Sequence, residues 1–116
     1  MRLRGRKGIR ESLEGQTDLV ILDPRSHKGQ WSALFGNDHP IHVEFGMGKG
    51  QFISQMSFKY PEINFIGVDM YDELVRRAGE KARAVWEPAG HETPPNLKLA
   101  LANIDYAEEV FSQGEL

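Results

Sequence analysis

The sequence predicts an α/β fold of the doubly wound class, in which helices cover both faces of a parallel sheet. Three observations support this prediction. Apolar runs suited to strands alternate with stretches of helical periodicity. The connections between successive strands are long enough for a crossover helix, which favours parallel pairing. A glycine-rich turn lies between the first clear strand and the helix that follows it.

The elements before that strand are short. In order, they are a helical turn at 11–15, an extended segment at 19–22 and a helix at 29–36. Pro24 ends the extended segment. Trp31, Leu34 and Phe35 fall on one face of the predicted helix, and Gly36 is suited to its C-terminus.

From Ile41 onward the pattern is regular. The predicted order is a strand at 41–45, a helix at 51–60, a strand at 63–69, a helix at 71–86, a polar loop at 87–96, a strand at 97–101 and a short helix at 106–112. Pro61 ends the first of these helices, and one apolar stripe marks the second. Strands and helices in this order predict two βαβ units.

The composition fits one small globular domain and excludes several classes of protein. The chain has 116 residues, of which 40% are hydrophobic and 27% charged. It contains no cysteine, which excludes disulfides and zinc–thiolate sites. The longest run of large aliphatic residues, Leu19–Leu22, is far shorter than the roughly 20 apolar residues of a membrane helix. We therefore expect a cytoplasmic protein without a membrane partner.

Charge is unevenly distributed. The whole chain has a net charge of −3, yet its first ten residues contain no acid and five basic residues: Arg2, Arg4, Arg6, Lys7 and Arg10. One interpretation is an arm that binds nucleic acid through its phosphates. The other is a solvated terminus without a partner. Composition leaves both interpretations open.

Polar residues and glycines follow each of the three main strands. They are Glu44, Gly46, Gly48 and Gly50 at the first strand, Asp69 at the second, and Asn103 and Asp105 at the third. Ligands bind at the carboxyl ends of strands in such sheets. Glycines let a ligand approach the backbone, a carboxylate can accept ribose hydroxyls, and a further polar residue can reach an adenine edge. Asp105 has a second interpretation, as the cap of the final helix.

Glu44 distinguishes between nucleotide ligands. The turn lacks the last glycine of a dinucleotide fingerprint, and no Ser or Thr follows Lys49 as a phosphate-binding loop requires. A carboxylate beside the turn repels a pyrophosphate but attracts the cationic ammonium and sulfonium of S-adenosylmethionine. At about 4 Å and an effective dielectric constant near 20, one such attraction is worth roughly 4 kcal/mol before desolvation. The charge therefore favours S-adenosylmethionine over NAD.

Other conspicuous side chains have structural interpretations. The four histidines (His27, His39, His42 and His91) lack the spacing of metal ligands, so no metal site is predicted. Trp31 and Trp86 are expected to pack in the core rather than stack on bases.

Several of these segments resemble the bacterial tRNA (guanine-N7-)-methyltransferase family. They are the basic start at 1–7, the segment at 35–38, the extended glycine motif at 41–53 and the strand at 65–69. The resemblance covers residues 1 to about 86 and resumes near Asn96. Asp69 is one methylene shorter than the glutamate common in the family, and the loop at 87–95 is longer.

The resemblance implies a Rossmann-like, class I S-adenosylmethionine-dependent methyltransferase that modifies a guanine in the variable loop of tRNA. It implies donor contacts at Glu44, Asp69 and Asp105 and a tRNA contact for the basic arm. It also implies an incomplete fold with about three of seven strands, in which the strand at 41–45 is an unpaired edge. The family's catalytic aspartate would lie beyond Leu116, so no catalytic residue is expected within this chain.

The expected organisation is a basic arm at 1–18, short leading elements at 19–40 and the first half of the donor-binding domain at 41–116. Two alternatives remain open. One is a non-catalytic fragment that binds the cofactor or RNA, and the other is half of an NAD-dependent oxidoreductase. The sequence leaves the oligomeric state open.

Overall fold

The computed structural model describes residues 8–116. Four residues of the predicted basic arm, Arg2, Arg4, Arg6 and Lys7, lie outside the described residues. The elements are α1 (Ile9–Glu14), β1 (Val20–Ile21), α2 (Trp31–Phe35), β2 (Ile41–Phe45), α3 (Gln51–Lys59), β3 (Asn64–Asp69), α4 (Asp72–Trp86) and β4 (Leu97–Leu101). No helix within residues 8–116 is long and apolar enough to span a bilayer.

The four strands form one parallel sheet in the order β1-β4-β3-β2. This confirms the predicted α/β class and the parallel pairing of the three main strands. The sheet has one strand more than the three expected, because Val20 and Ile21 pair with Leu99 and Ala100. A two-residue strand gives almost no periodicity, so its sequence predicts an extended segment but not its partner.

Two apolar layers enclose the sheet. On one face, α1, α3 and α4 contribute buried residues such as Leu13, Ile53 and Val75. On the other face, α2 and the C-terminal segment contribute Trp31 and Phe111. Helical segments therefore cover both faces, as the doubly wound class requires.

Both tryptophans belong to the core, as predicted. Trp31 is fully buried and its indole N–H donates to the Val110 carbonyl. Trp86 is also buried, and its indole N–H donates to the Ser57 hydroxyl.

The final helix differs from its prediction. Residues 106–112 are expected to form a short helix, whereas the structure has a 3-10 helix at Ile104–Glu109 that contains a kink at Tyr106. Its N-terminal cap is Asn103, whose side-chain oxygen accepts a hydrogen bond from the Asp105 N–H at 2.9 Å. The interpretation of Asp105 as the cap of this helix is therefore wrong, because the helix begins at Ile104 and its cap is Asn103.

The long loop at 87–96 is fixed to the body of the protein. The side-chain amide of buried Asn96 donates to the carbonyls of Ser57, Tyr60 and Ile63. The guanidinium of Arg83 donates to the Glu92 carbonyl. These bonds bring the chain to the start of β4, although the loop itself has little regular structure.

Candidate functional site

The glycine turn folds back onto the end of β3. Gly46, Gly48 and Gly50 have φ angles of 74°, 60° and 78°, in the left-handed region that favours glycine. The backbone N–H groups of Gly46 and Met47 both donate to the Val68 carbonyl, at 2.8 and 3.0 Å. The turn therefore lies at the carboxyl edge of the sheet, where the sequence predicts a ligand site.

Gly50 has a packing reason of its own. It precedes α3, and a Cβ built on it would lie 2.5 Å from the Ala78 Cβ and 2.8 Å from the Ala78 Cα. Glycine at this position therefore lets α3 approach α4 closely. A contact between Gly50 and a ligand stays a prediction.

Asp69 ties the glycine turn to the start of α4. The residue is 6% exposed to solvent. One carboxylate oxygen accepts from the Gly48 N–H at 3.1 Å, and the other accepts from the Tyr71 N–H at 3.2 Å. Each oxygen retains capacity for another hydrogen bond, so Asp69 can accept ligand hydroxyls while it holds the turn.

Glu44 carries an unsatisfied carboxylate oxygen. The register places it beside Gly67 of β3. Its Oε1 is buried and lacks a hydrogen-bond partner among residues 8–116. Burial raises the pKa of Glu44 above its usual value. Buried polar groups nearly always have partners, so this oxygen is suited to a donor or a cation that the protein itself does not supply.

The end of β4 meets the same edge. The Ala102 N–H donates to the Asp69 carbonyl at 3.0 Å. The Ile104 Cδ1 lies 3.7 Å from the position of a Cβ built on Gly46. The strand ends that carry Glu44, Asp69 and Asn103 therefore converge, as the strand order predicts.

Asn103 and Asp105 lie on the exposed rim of this region. The side-chain oxygen of Asn103 is engaged in its cap. Within the described part of the chain, the Asp105 carboxylate has no hydrogen-bond or ion-pair partner, so it is free to accept one. No group of His, Asp and Glu side chains in residues 8–116 has the arrangement of a metal site.

Of the five basic residues in the predicted arm, Arg10 is the one that the structure describes. It belongs to α1, where its side chain lies 3.9 Å from Glu14. The same helix buries Ile9 and Leu13 in the core. Arg10 is therefore held by the folded domain.

Sequence analysis missed two residues that shape the site. A Cβ built on Gly67 would lie 2.5 Å from the Met47 Sδ, so glycine in β3 makes room for the Met47 side chain of the turn. Met47 is in turn buried beneath the glycine turn. An isolated glycine inside a buried strand is the signal that could have indicated this close approach.

A model of a known protein family matches most of the chain. The model of a family described as "Putative methyltransferase" matches residues 38–116. That region contains the glycine turn and every strand-end residue named above.

Longer curated relatives match the whole chain. A tRNA (guanine-N(7)-)-methyltransferase of Streptococcus sanguinis is 43% identical over 116 residues, which are 100% of this chain and 51% of that protein. Proteins with the same name from Geobacillus and Bacillus licheniformis are 39% and 36% identical, again over 100% of this chain and 50% and 51% of theirs. The chain thus spans about half the length of the curated relatives it matches.

Proposed function

Because the chain belongs to this methyltransferase family, we propose that it is the donor-binding half of an S-adenosylmethionine-dependent tRNA guanine-N7 methyltransferase. One observation carries the proposal: the buried, unpartnered Oε1 of Glu44 beside the glycine turn. S-adenosylmethionine supplies a methyl group on a cationic sulfur and carries a cationic ammonium, so its charge complements this carboxylate.

We assign the side chains at the strand ends to different parts of the donor. Glu44 offsets positive charge, and Asp69 has free lone pairs for the ribose hydroxyls. The left-handed glycines keep side chains away from the ligand. Asp105 is available on the rim for the donors of an adenine edge.

The proposed methyl acceptor, guanine N7, suits a site that orients the reacting groups and does not have to remove a proton. Guanine N7 has a free lone pair and needs no general base before it attacks a methyl group. The protein's contribution is then in-line orientation and compensation of charge. Glu44 fits the second role, and no general base is required of the residues at the strand ends.

The proposal makes this chain a donor-binding unit that needs further residues to hold the acceptor. Its relatives are named for methylation of tRNA, and the chain matches about half of each. A second candidate is a binding protein without transferase activity. The observation that favours it is that the strand-end carboxylates described above are all assigned to donor binding.

Calorimetry tests the donor part of the proposal. The 116-residue chain is titrated with S-adenosylmethionine, with S-adenosylhomocysteine and with NAD. We expect binding of the first two and no binding of NAD. Binding of NAD alone would instead support the oxidoreductase hypothesis and overturn the proposal.

A second assay tests whether the 116-residue chain is itself a transferase. The chain is incubated with tRNA and labelled S-adenosylmethionine, and N7-methylguanine is mapped by aniline cleavage. Donor binding without cleavage is expected for a half that needs further residues. Cleavage at a variable-loop guanine would show complete activity in the chain and exclude the binding-protein candidate.

A further inference from the structure

A pocket lies at the carboxyl edge of the sheet, between the ends of β1 and β4. Its volume is about 290 Å³. Apolar side chains at both strand ends line part of it, among them Leu22 and Leu101. The polar side chains in its lining are Asp23, Arg25, Asn103 and Tyr106. Crevices at the carboxyl ends of parallel strands are the usual place for ligands in such sheets, so this pocket is a candidate binding site.

This pocket is separate from the proposed donor site. Ile104 lies against the glycine turn, with its Cδ1 3.7 Å from the position of a Cβ built on Gly46. Asn103 and Tyr106, which come before and after Ile104 in the chain, line the pocket instead. The pocket is also at the β1–β4 end of the sheet, whereas β2 is at the other end. It therefore uses none of the carboxylates that the proposed function assigns to the donor.

An ion pair joins the two walls of the pocket. The Arg25 Nη2 lies 2.8 Å from the Glu109 Oε1, so the segment after β1 is tied to the 3-10 helix after β4. The guanidinium retains further N–H donors beyond this pair. On the β4 side, the Asn103 side-chain oxygen accepts from the Asp105 N–H. Its amide nitrogen has no partner among residues 8–116 and carries two N–H donors. The pocket thus offers hydrogen-bond donors on both walls.

Asp23 supplies a carboxylate that the protein itself does not use. It directly precedes the 3-10 helix at Pro24–His27, but its side chain makes no capping hydrogen bond. In the described part of the chain, the Asp23 carboxylate has neither a hydrogen-bond partner nor an ion pair. Its two oxygens can accept two parallel hydrogen bonds from one ligand. The pocket therefore combines a two-oxygen acceptor with the N–H donors of Arg25 and Asn103.

This combination matches one nucleobase of RNA. The Watson–Crick edge of guanine has two adjacent donors, N1–H and the 2-amino group, beside the O6 acceptor. Asp23 can accept from both donors, and O6 can accept from Arg25 or from the Asn103 amide. Adenine, cytosine and uracil lack two adjacent donors on that edge. Tyr106 is 48% exposed and offers a ring on which the base can stack.

We propose that this pocket binds an unpaired guanine of the RNA substrate, distinct from the guanine that accepts the methyl group. This assignment rests on the proposed function, which supplies RNA as the partner. Proteins read RNA sequence mainly at unstacked bases, through their Watson–Crick edges and through stacking on aromatic side chains. The pocket and the donor site share one edge of the sheet, so a guanine held here orients the RNA relative to the methyl donor.

Equilibrium dialysis of the 116-residue chain with labelled guanosine, inosine and adenosine tests the base preference. We expect guanosine to bind, inosine to bind about tenfold more weakly because it lacks the 2-amino group, and adenosine to bind least. Saturating S-adenosylhomocysteine should leave the affinity for guanosine unchanged, because the two sites are separate. Absence of guanosine binding, equal binding of the three nucleosides, or competition by S-adenosylhomocysteine would overturn the proposal. Donor binding is titrated separately, so such a failure leaves the proposed function standing.

Asp23→Asn should reverse the preference between two nucleosides. The amide donates where the carboxylate accepted, and xanthosine carries an oxygen where guanosine carries the 2-amino group. We expect the variant to bind guanosine about tenfold or more weakly than the unmodified chain does, and to bind xanthosine more tightly than guanosine. A loss of structure would weaken both nucleosides, so the reversed order is specific to the contact. Asp38→Asn, an exposed change elsewhere, should keep the original order. A retained preference for guanosine in Asp23→Asn would contradict the proposed contact.

Filter binding of tRNA distinguishes a base of bound RNA from a free nucleotide. Asp23→Asn removes a negative charge, which by itself raises the affinity for a polyanion. We expect instead that Asp23→Asn and Tyr106→Leu each weaken tRNA binding by about fivefold or more, because a base contact and a stacking surface are lost. Equal or tighter tRNA binding by Asp23→Asn would make a free guanine nucleotide the ligand and overturn the proposal. A chain that binds guanosine and the donor but no tRNA would overturn it too.

Discussion

The Asp69 carboxylate accepts a hydrogen bond from the Gly48 N–H at 3.1 Å, across 21 residues of sequence. Its other oxygen accepts from the Tyr71 N–H. One side chain at the end of β3 thus holds both the turn after β2 and the start of α4. The proposed ribose-binding residue is therefore also a structural support of its own site.

We expect Asp69→Asn to lower the free energy of unfolding by about 1–3 kcal/mol, because the amide nitrogen cannot accept the hydrogen bond that a carboxylate oxygen accepted. Chemical denaturation measures the loss. Hydrogen exchange should report faster opening at Gly48 or Tyr71. The exposed change Asp38→Asn serves as the control, and an equal loss in both variants would contradict the support role.

Glu44→Gln should weaken binding of S-adenosylmethionine by about tenfold or more, because it removes the charge that attracts the cation. Glu62→Gln, which removes an exposed carboxylate elsewhere, is the matched control. Calorimetry of both variants gives the comparison. Unchanged affinity in Glu44→Gln would place the donor elsewhere.

The same substitution should have a pH-dependent effect on stability. The pKa of Glu44 is raised in the folded protein, so the folded state holds the proton more strongly than the unfolded state. Glu44 therefore lowers the stability of the folded protein progressively as the pH rises above the pKa of this group in the unfolded chain, near 4.5. At neutral pH, Glu44→Gln should therefore have a higher free energy of unfolding than the unmodified chain. Denaturation at pH 4 and pH 7 should show the gain mainly at pH 7.

Local patterns explain which elements the sequence predicts. Residues 41–45 and 97–101 are apolar runs bounded by turn residues, and both form strands with the expected bounds. The strand ends also indicate Glu44 and Asp69, since parallel strands bring their carboxyl ends to one edge. Their hydrogen-bond partners are not predictable in this way, because backbone groups carry no sequence signal.

Long-range contacts explain what the sequence does not predict. The cap at Asn103 depends on the residue at which β4 ends. The N-terminus of α2 is bound by Glu115, 84 residues away from Trp31. Neither relation has a local pattern. The close approach of Gly67 to Met47 had one signal, the isolated glycine, whose meaning depends on a neighbouring turn.

Two glycines of the turn should respond differently to alanine. Both have positive φ angles, so each substitution incurs the cost of a left-handed alanine, roughly 1–2 kcal/mol. A Cβ at Gly48 meets open space, whereas one at Gly50 overlaps Ala78. Gly50→Ala should therefore destabilise by a further 1–3 kcal/mol or so.

A double variant checks that overlap. Adding Ala78→Gly to Gly50→Ala removes the 2.5 Å contact but leaves the 2.8 Å contact to the Cα. We expect Ala78→Gly to raise the free energy of unfolding in the Gly50→Ala background relative to its effect in the unmodified chain. The double variant should thus recover part of the stability that Gly50→Ala loses. An additive result would contradict direct overlap between the two positions.

The basic arm should contribute to RNA binding through phosphate contacts. If about five cations meet phosphates, the slope of log K against log salt should lie near −3.5 to −4.5, and removal of residues 1–10 should flatten it. Filter binding of tRNA over a salt series measures the slope. A second variant replaces only Arg2, Arg4, Arg6 and Lys7 with neutral residues and keeps Arg10, which lies in α1. The difference between its slope and that of the deletion gives the contribution of Arg10 to RNA binding. An unchanged slope would favour the solvated-terminus interpretation.

Glu115 joins the C-terminal segment to the start of α2. Its carboxylate accepts from the backbone N–H groups of Gly29, Trp31 and Ser112. Burial opposes ionisation, but these hydrogen bonds outweigh it and lower the pKa of Glu115. The carboxylate thus supplies the cap that α2 lacks from its own preceding residue.

Glu115→Gln should lower the free energy of unfolding by about 1 kcal/mol at neutral pH, the usual cost of a lost helix cap. The pKa of Glu115 is lower in the folded protein than in the unfolded chain, where it is near 4.5. Its contribution to stability is therefore complete above pH 4.5 and is lost as the pH falls through the folded pKa. The difference between Glu115→Gln and the unmodified chain should therefore shrink below pH 4.5 in acid denaturation. Glu108→Gln, on an exposed neighbouring turn, should show no such trend. A difference that stays constant with pH would mean that Glu115 acts through packing rather than through its charge.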